Sequence, residues 1–334
     1  MKRFTFSLLL GFVLLAPVWP QAKNPFLGRW GFTLAPSADS RFNASWMAVS
    51  EKQGKLEVVF QDTEAHAIPV ASFKIRGSHM SVVINKATKK NPSTTLELDV
   101  ANGKITGVKK RRNQTVSMVG LPEPDLKRNP PAAWTDPVPL FNGKNLDGWE
   151  PVNKAVQIHW TVKDGVLVNE ENGGNIQTAR KFDDFKLHYE VYCPERANSG
   201  FFLRGRYELQ VSSGPGSPPS PAPPPPASAR GGRAGRGGYI AAPDRAMGAV
   251  YGRVAPSAVL TTPSDGWDKF DVTLVGRTIT IVRNGVTTID RQEIEGITGG
   301  ALDANEGEPG PFYIQGDHTG NVRFRNITVS VPKP

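Results

Sequence analysis

Cysteine is nearly absent from this chain. Its single thiol, Cys193, can form no intramolecular disulfide and no cysteine-based zinc site. A chain of 334 residues can do without such staples, because its apolar core can suffice. Long apolar runs are missing after the first residues, so nothing further along reads as a membrane-spanning helix. Helix-period patterns are scarce too, which argues against helical bundles and βαβ units. Acidic charge is in deficit: 31 Asp and Glu stand against 40 Lys and Arg, a net +9. Fourteen basic and seven acidic residues fall within 24–118, with Lys109-Lys-Arg-Arg112 as the densest run. A nucleic-acid-binding face would interleave such a run with exposed aromatics. That interleaving is absent, so nucleic acid is not an expected partner, and a solvated strand end accounts for the run.

What is present begins with Met1-Lys-Arg3 and an apolar run from Phe4 to Ala16. A charged start and a short apolar stretch read as a signal peptide over 1–22. The expectation is a periplasmic or secreted protein with no transmembrane segment once the leader is removed. Alternating runs follow, such as Lys55–Phe60, Ser72–Arg76, Met80–Ile84, Thr95–Val100 and Lys104–Val108. Short strands at regular spacing predict a small all-β barrel over 23–118. Gly28-Arg-Trp30 resembles the Gly-x-Trp opening of lipocalin-like barrels, with Trp30 as a core plug. Residues 119–137 hold several prolines and little periodicity, the composition of a semi-rigid linker. From 138 to 331 strand patterns return, including Phe185–Tyr192 and Thr278–Arg283, and Asn284-Gly285 marks a type I′ hairpin. Nearly 200 residues of strands without helices predict a two-sheet sandwich or jelly roll. An insertion at 213–238, rich in Pro, Gly and Arg, cannot build a core and reads as a flexible loop.

Two polar clusters stand on strand patterns. One is Asn198, Arg204, Glu208 and Gln210 on a hairpin; the other is Gln315-Gly-Asp-His318. Polar groups are expensive on a sheet that buries both faces, so the two clusters suggest a site on a sheet face. A three-residue loop Gly205-Arg-Tyr207 would set Arg204 opposite Glu208 and Phe202 opposite Gln210, all four on one face. In that register Arg204 would lower the Glu208 pKa and hold it ionised. A cross-strand salt bridge without chemistry fits the same pattern. His66, His79, His159 and His188 read as structural face residues.

The second region resembles the 3-keto-disaccharide hydrolase domain family. The series that carries the resemblance runs in order through Pro139-Leu-Phe-Asn-Gly-Lys-Asn-Leu-Asp-Gly-Trp149, Trp160–Leu167, Asn198-Ser-Gly-Phe-Phe-Leu-Arg204 and Tyr207-Glu-Leu-Gln210. It continues with Gly248-Ala-Val-Tyr-Gly252, Gly266-Trp-Asp-Lys-Phe270 and Phe324-Arg-Asn-Ile327. The resemblance implies a concanavalin A-like fold with a concave sugar-binding sheet. Gly316 stands as an extra residue within the last polar cluster, and the 213–238 insertion and the N-terminal barrel lie outside the resemblance.

The resemblance implies a sugar already oxidised at C3, supplied by an upstream sugar oxidoreductase. Removal of the C2 proton, loss of the aglycone from C1 and hydration would follow. His318, Glu208 and Arg204 are then the candidate catalytic residues: a base or acid, a second proton-transfer or orienting group, and an enolate stabiliser. Asn198, Gln210, Gln315 and Asp317 are candidate substrate-binding residues. No cofactor is required by the pattern; the chemistry leaves room for a divalent cation on Glu208, Asp317 and His318, with no ligand spacing to establish it. Ordinary glycoside hydrolysis needs paired carboxylates across the bond, and no such strand is found. The alternative from another class is a non-catalytic, lectin-like carbohydrate-binding protein using the same face.

Overall fold

The computed structural model describes residues 24–37, 41–88, 91–195, 197–212, 243–318 and 320–334. The leader read at 1–22 and the insertion read at 213–238 lie outside the described residues.

Nine strands make the first unit. They are β1 (Gly28–Leu34), β2 (Ala44–Lys52), β3 (Lys55–Gln61), β4 (Ile68–Pro69) and β5 (Ser72–Arg76). Then come β6 (His79–Asn85), β7 (Thr94–Ala101), β8 (Lys104–Arg111) and β9 (Gln114–Pro122). Their order is β4-β3-β2-β1-β9-β8-β7-β6-β5, an up-and-down meander whose last strand pairs with its first. Residues 70 and 71 carry the chain from β4 to β5: Val70 N–H donates to Val58 O of β3, and Ala71 N–H to Ile84 O of β6. Alternation does the rest. Met80, Val82 and Ile84 on β6, and Leu96, Leu98 and Val100 on β7, face one core. Trp30 plugs it, its indole N–H donating to Phe26 O at 2.9 Å. Strand β9 runs to Pro122, past the expected boundary at 118. The segment after it is strapped down rather than loose: Leu126 is buried, and Arg128 pairs with Asp183 and Asp184.

The second unit is a two-sheet sandwich. Its strands begin with β10 (Val138–Pro139), β11 (Trp149–Pro151), β12 (Trp160–Lys163), β13 (Val166–Asn169) and β14 (Ile176–Phe182). They continue with β15 (Phe185–Tyr192), β16 (Asn198–Leu203), β17 (Tyr207–Ser212) and β18 (Trp267–Val275). The last are β19 (Thr278–Arg283), β20 (Val286–Glu293), β21 (Gly310–Ile314) and β22 (Arg323–Ser330). One sheet is ordered β12-β13-β22-β15-β18-β19-β20 with β10 on β22; the other is β11-β14-β21-β16-β17. Aromatic side chains join them: Tyr189 of the first sheet stacks on Phe201 of the second, ring centroids 4.5 Å apart. Asn284 and Gly285 both take positive φ, as the type I′ turn between β19 and β20 requires.

Strands β16, β17 and β21 are buried on both faces. The inner face meets the sandwich core. The outer face is roofed by residues 294–308 and by the barrel. Trp46 of β2 is buried against Ile297 and Ala301. A Cβ on Gly296 would come within 2.1 Å of the Trp46 indole nitrogen, so only glycine lets the two units close. The Arg253 guanidinium lies 4.0 Å from the Trp46 ring centroid and donates to Gln61 Oε1 at 2.6 Å. An indole buried this way removes roughly 150–250 Å² from water, which makes the seam a firm one.

Candidate active site

The hairpin of β16 and β17 places the first polar cluster. Leu203 pairs with Tyr207, Phe202 with Glu208, and Gly200 with Gln210. The turn is therefore Arg204-Gly205-Arg206, one residue earlier than the expected Gly205–Tyr207. The physical reason is that Arg204 takes a left-handed φ of 51° at the turn, which leaves Leu203 as the last paired residue. Phe202, Glu208 and Gln210 do share a face, as the alternation predicts. Arg204 does not join them. It is fully buried and donates to Asp183 Oδ1 at 2.9 Å, to Tyr207 Oη at 3.1 Å and to Glu306 O at 2.9 Å. The expectation that it pairs with Glu208 is corrected accordingly.

Glu208 is buried. Its cross-strand partner Phe202 stacks on Tyr313, centroids 3.9 Å apart. The edge strand is held by Thr298, whose Oγ1 accepts from Glu208 N–H at 2.9 Å, and by Tyr251 N–H, which donates to Glu208 O at 3.0 Å. Burial first, and the Asp317 charge second, push the Glu208 carboxyl well above its usual range. It keeps its proton where a surface glutamate has lost one, the reverse of the ionised state expected beside Arg204. Gly200 makes room for it. A Cβ there would lie 2.6 Å from Glu208 Oε1 and 2.9 Å from Gln315 Oε1, so the two oxygens meet above the glycine. Gln315 Oε1 is buried with no hydrogen-bond partner among the described residues. Gln210 Nε2 donates to Asn198 Oδ1 at 2.7 Å.

The second cluster follows β21. The extra Gly316 packs against Gly174 and Trp160, where a Cβ would lie 2.5 Å from each, and its N–H donates to Asn175 Oδ1 at 2.8 Å. So anchored, it sets Asp317 beside His318. Asp317 Oδ1 lies 2.7 Å from His318 Nδ1, and Arg41 donates to Asp317 Oδ2. Burial pushes the Asp317 carboxyl up, but the His318 hydrogen bond and the His318 and Arg41 charges outweigh it and hold it below its usual range. An ionised Asp317 bound at Nδ1 leaves Nε2 as the basic nitrogen of His318.

Asn198, Glu208, Gln210, Gln315 and His318 line one cavity of about 140 Å³. Asp317 lines the adjoining hollow instead, and Arg204 lines neither. Sequence reasoning missed the other walls. Tyr251 and Gly300 come from the sandwich, whereas Arg41, Phe42 and Glu64 come from the barrel. Tyr251 lay inside a quoted motif, but nothing in the barrel sequence singled out Arg41. The donors do not suit a metal: Asp317 already serves His318 and Arg41. Among the described residues no group of three or more His, Cys, Asp or Glu is placed to hold one. A basic-rimmed hollow of about 290 Å³ lies on the barrel around Asp62, Lys109 and Arg111, but Lys109 is paired with Asp62 at 2.6 Å and no proton-transfer pair converges there.

Residues 136–330 match the model of the 3-keto-alpha-glucoside-1,2-lyase-like domain. Over 75 residues the chain is 31% identical to a 3-keto-disaccharide hydrolase of Bacteroides thetaiotaomicron, a match covering 20% of this chain and 26% of that protein. The chain thus matches about a quarter of the length of this curated relative. Two solved Parabacteroides distasonis proteins, provisionally described as glycosyl hydrolases, align at 24% and 18% identity with TM-scores of 0.44 and 0.43. The alignments cover 61% and 59% of this chain and 93% and 94% of those chains.

Proposed function

The chain belongs to the 3-keto-alpha-glucoside-1,2-lyase-like family through residues 136–330, and on that premise we propose that it cleaves glycosides whose sugar carries a ketone at C3. The observation that carries the reading is the pairing, in one cavity, of a buried protonated Glu208 with a His318 oriented by Asp317. A protonated carboxyl and an imidazole oriented by a carboxylate are what an acid and a base need.

The C3 ketone acidifies the C2 proton. His318 Nε2 removes it, and the electron pair moves onto the ketone oxygen as an enediolate. That pair returns to form the C1=C2 bond as the C1–O bond breaks, and Glu208 protonates the departing aglycone oxygen. Water then adds: its hydroxyl goes to C1, its proton to the Glu208 carboxylate, and His318 returns its proton to C2. The sum is hydrolysis, with both side chains restored. Gln315 Oε1, buried and without a partner among the described residues, suits a sugar hydroxyl donor, and Asn198 and Gln210 line the same cavity. The ketone must be made upstream by a sugar-oxidising enzyme.

The test is incubation of the purified protein with 3-keto-trehalose, 3-keto-lactose and their unoxidised parents, following sugar release. Cleavage of the keto sugars alone, abolished in His318→Ala, is expected. Cleavage of the parents would overturn the elimination route, and binding without turnover would favour a lectin-like role.

A further inference from the structure

The proposed reaction, on which this inference rests, gathers negative charge on the ketone oxygen. Such charge is met by a hydrogen-bond donor already aimed at that oxygen. Arg204 was the sequence candidate, and the fold commits it to Asp183, Tyr207 and Glu306 outside the cavity. Among the described residues, the arginine lining the cavity is Arg41, which precedes β2 in the barrel. We propose that Arg41 is the substrate-facing cation of the active site, so that the barrel completes a centre otherwise built by the sandwich.

Three observations converge. Asp317 is shared, with one oxygen on His318 Nδ1 and the other on Arg41. The base and the cation therefore hang from one carboxylate and keep a fixed relation to each other. Glu64 lies 3.6 Å from the other terminal nitrogen of Arg41, which steers the guanidinium from the barrel side. The guanidinium has five N–H donors, so donors remain for a substrate oxygen after these contacts. Arg41 and Phe42 also border the adjoining hollow beside Gly173, Gly174 and Asn175, so Arg41 stands between two parts of one cleft. In the reaction it donates a hydrogen bond to the enediolate oxygen and exchanges no proton.

The competing role is a clamp between the two units. The seam already has buried Trp46 and the Arg253 bonds. The Arg41 side chain is 57% exposed, and exposed ion pairs contribute only about 0–1 kcal/mol. A clamp needs no residue here; a reaction does.

The experiment uses the full chain with 3-keto-lactose. Arg41→Ala should lower kcat by about 100- to 1,000-fold with the melting temperature held. Arg41→Lys should retain more of the rate, and added guanidinium ion should restore part of it to Arg41→Ala. Arg29→Ala, which breaks the Arg29–Glu293 contact between the units, should leave kcat unchanged. Unchanged kcat in Arg41→Ala would overturn the proposal. So would a loss that Arg29→Ala reproduces and guanidinium does not rescue, because that is the behaviour of a clamp. If His318→Ala loses activity and Arg41→Ala does not, the reaction stands and only the Arg41 assignment falls. If the wild type releases no sugar from any keto glycoside, the functional reading falls and Arg41 with it.

Discussion

The turn of the β16–β17 hairpin and the outer face of its strands are both polar and both buried, yet they are built in opposite ways. At the turn, Arg204 and Arg206 reach Asp183, Asp303 and the carbonyls of Glu306 and Glu308, and Tyr207 Oη donates to Glu306 Oε1 at 2.6 Å. On the outer face, Glu208 lies opposite Phe202 of the Phe202–Tyr313 stack, and Gln315 Oε1 has no partner among the described residues. Arg204 Nε is also without a partner among the described residues. Both arginines at the turn are nevertheless matched by carboxylates and hold the fold together, whereas open hydrogen-bonding capacity beside an unpaired carboxyl costs stability unless a ligand uses it. The contrast separates structure from site within one hairpin.

The largest effects should divide along that line. Glu208→Gln should cost about 10²- to 10⁴-fold in kcat and little stability, because a neutral amide replaces a neutral acid. Arg204→Ala should instead cost about 3–5 kcal/mol in urea unfolding, with the rate per folded molecule preserved. A stable Arg204→Ala that has lost its rate would erase the distinction.

Next comes Gly200→Ala. Its methyl would collide with Glu208 Oε1 and Gln315 Oε1, and a misplacement near 1 Å is worth about 100-fold in rate. Steady-state kinetics on a keto glycoside checks it; an unaltered kcat would mean that Glu208 is not held where the chemistry needs it.

A smaller effect tests the coupling of the two clusters. The Asp317 charge helps to raise the Glu208 pKa. Asp317→Asn should therefore move the basic limb of the kcat/KM profile to lower pH, since Glu208 would lose its proton sooner. A limb that stays in place would disconnect the pair.

The smallest is a pH effect at the seam between the units. Burial, then the Glu306 charge, outweigh Arg277 and push Glu123 up to about 8. A raised carboxyl stabilises the fold most below its unfolded value of 4.5. That contribution declines as pH rises and is gone once pH passes about 8. Thermal unfolding across pH 5–9 should show this loss in the wild type and not in Glu123→Gln.

Much of the architecture was legible because alternation is local. Strands β5, β15 and β19 fall where their period-two runs predict, and Asn284-Gly285 forces its turn by φ alone. The polar clusters and the family series together brought Glu208, Gln210, Gln315 and His318 forward, and the fold gathers them in one cavity. The register was not legible. A shift of one residue at the turn depends on whether Arg204 finds partners, and those partners, Asp183 and Glu306, are far away in the chain.

Local pattern and residue chemistry were thus enough to specify two β units, most of their strands and a short set of candidate proton-transfer groups. The protonation of Glu208, the retirement of Arg204 into a structural network and the entry of Arg41 were settled by tertiary structure. Each depends on desolvation or on charges brought together from distant segments, and neither burial nor proximity is written in the spacing of residues along a chain.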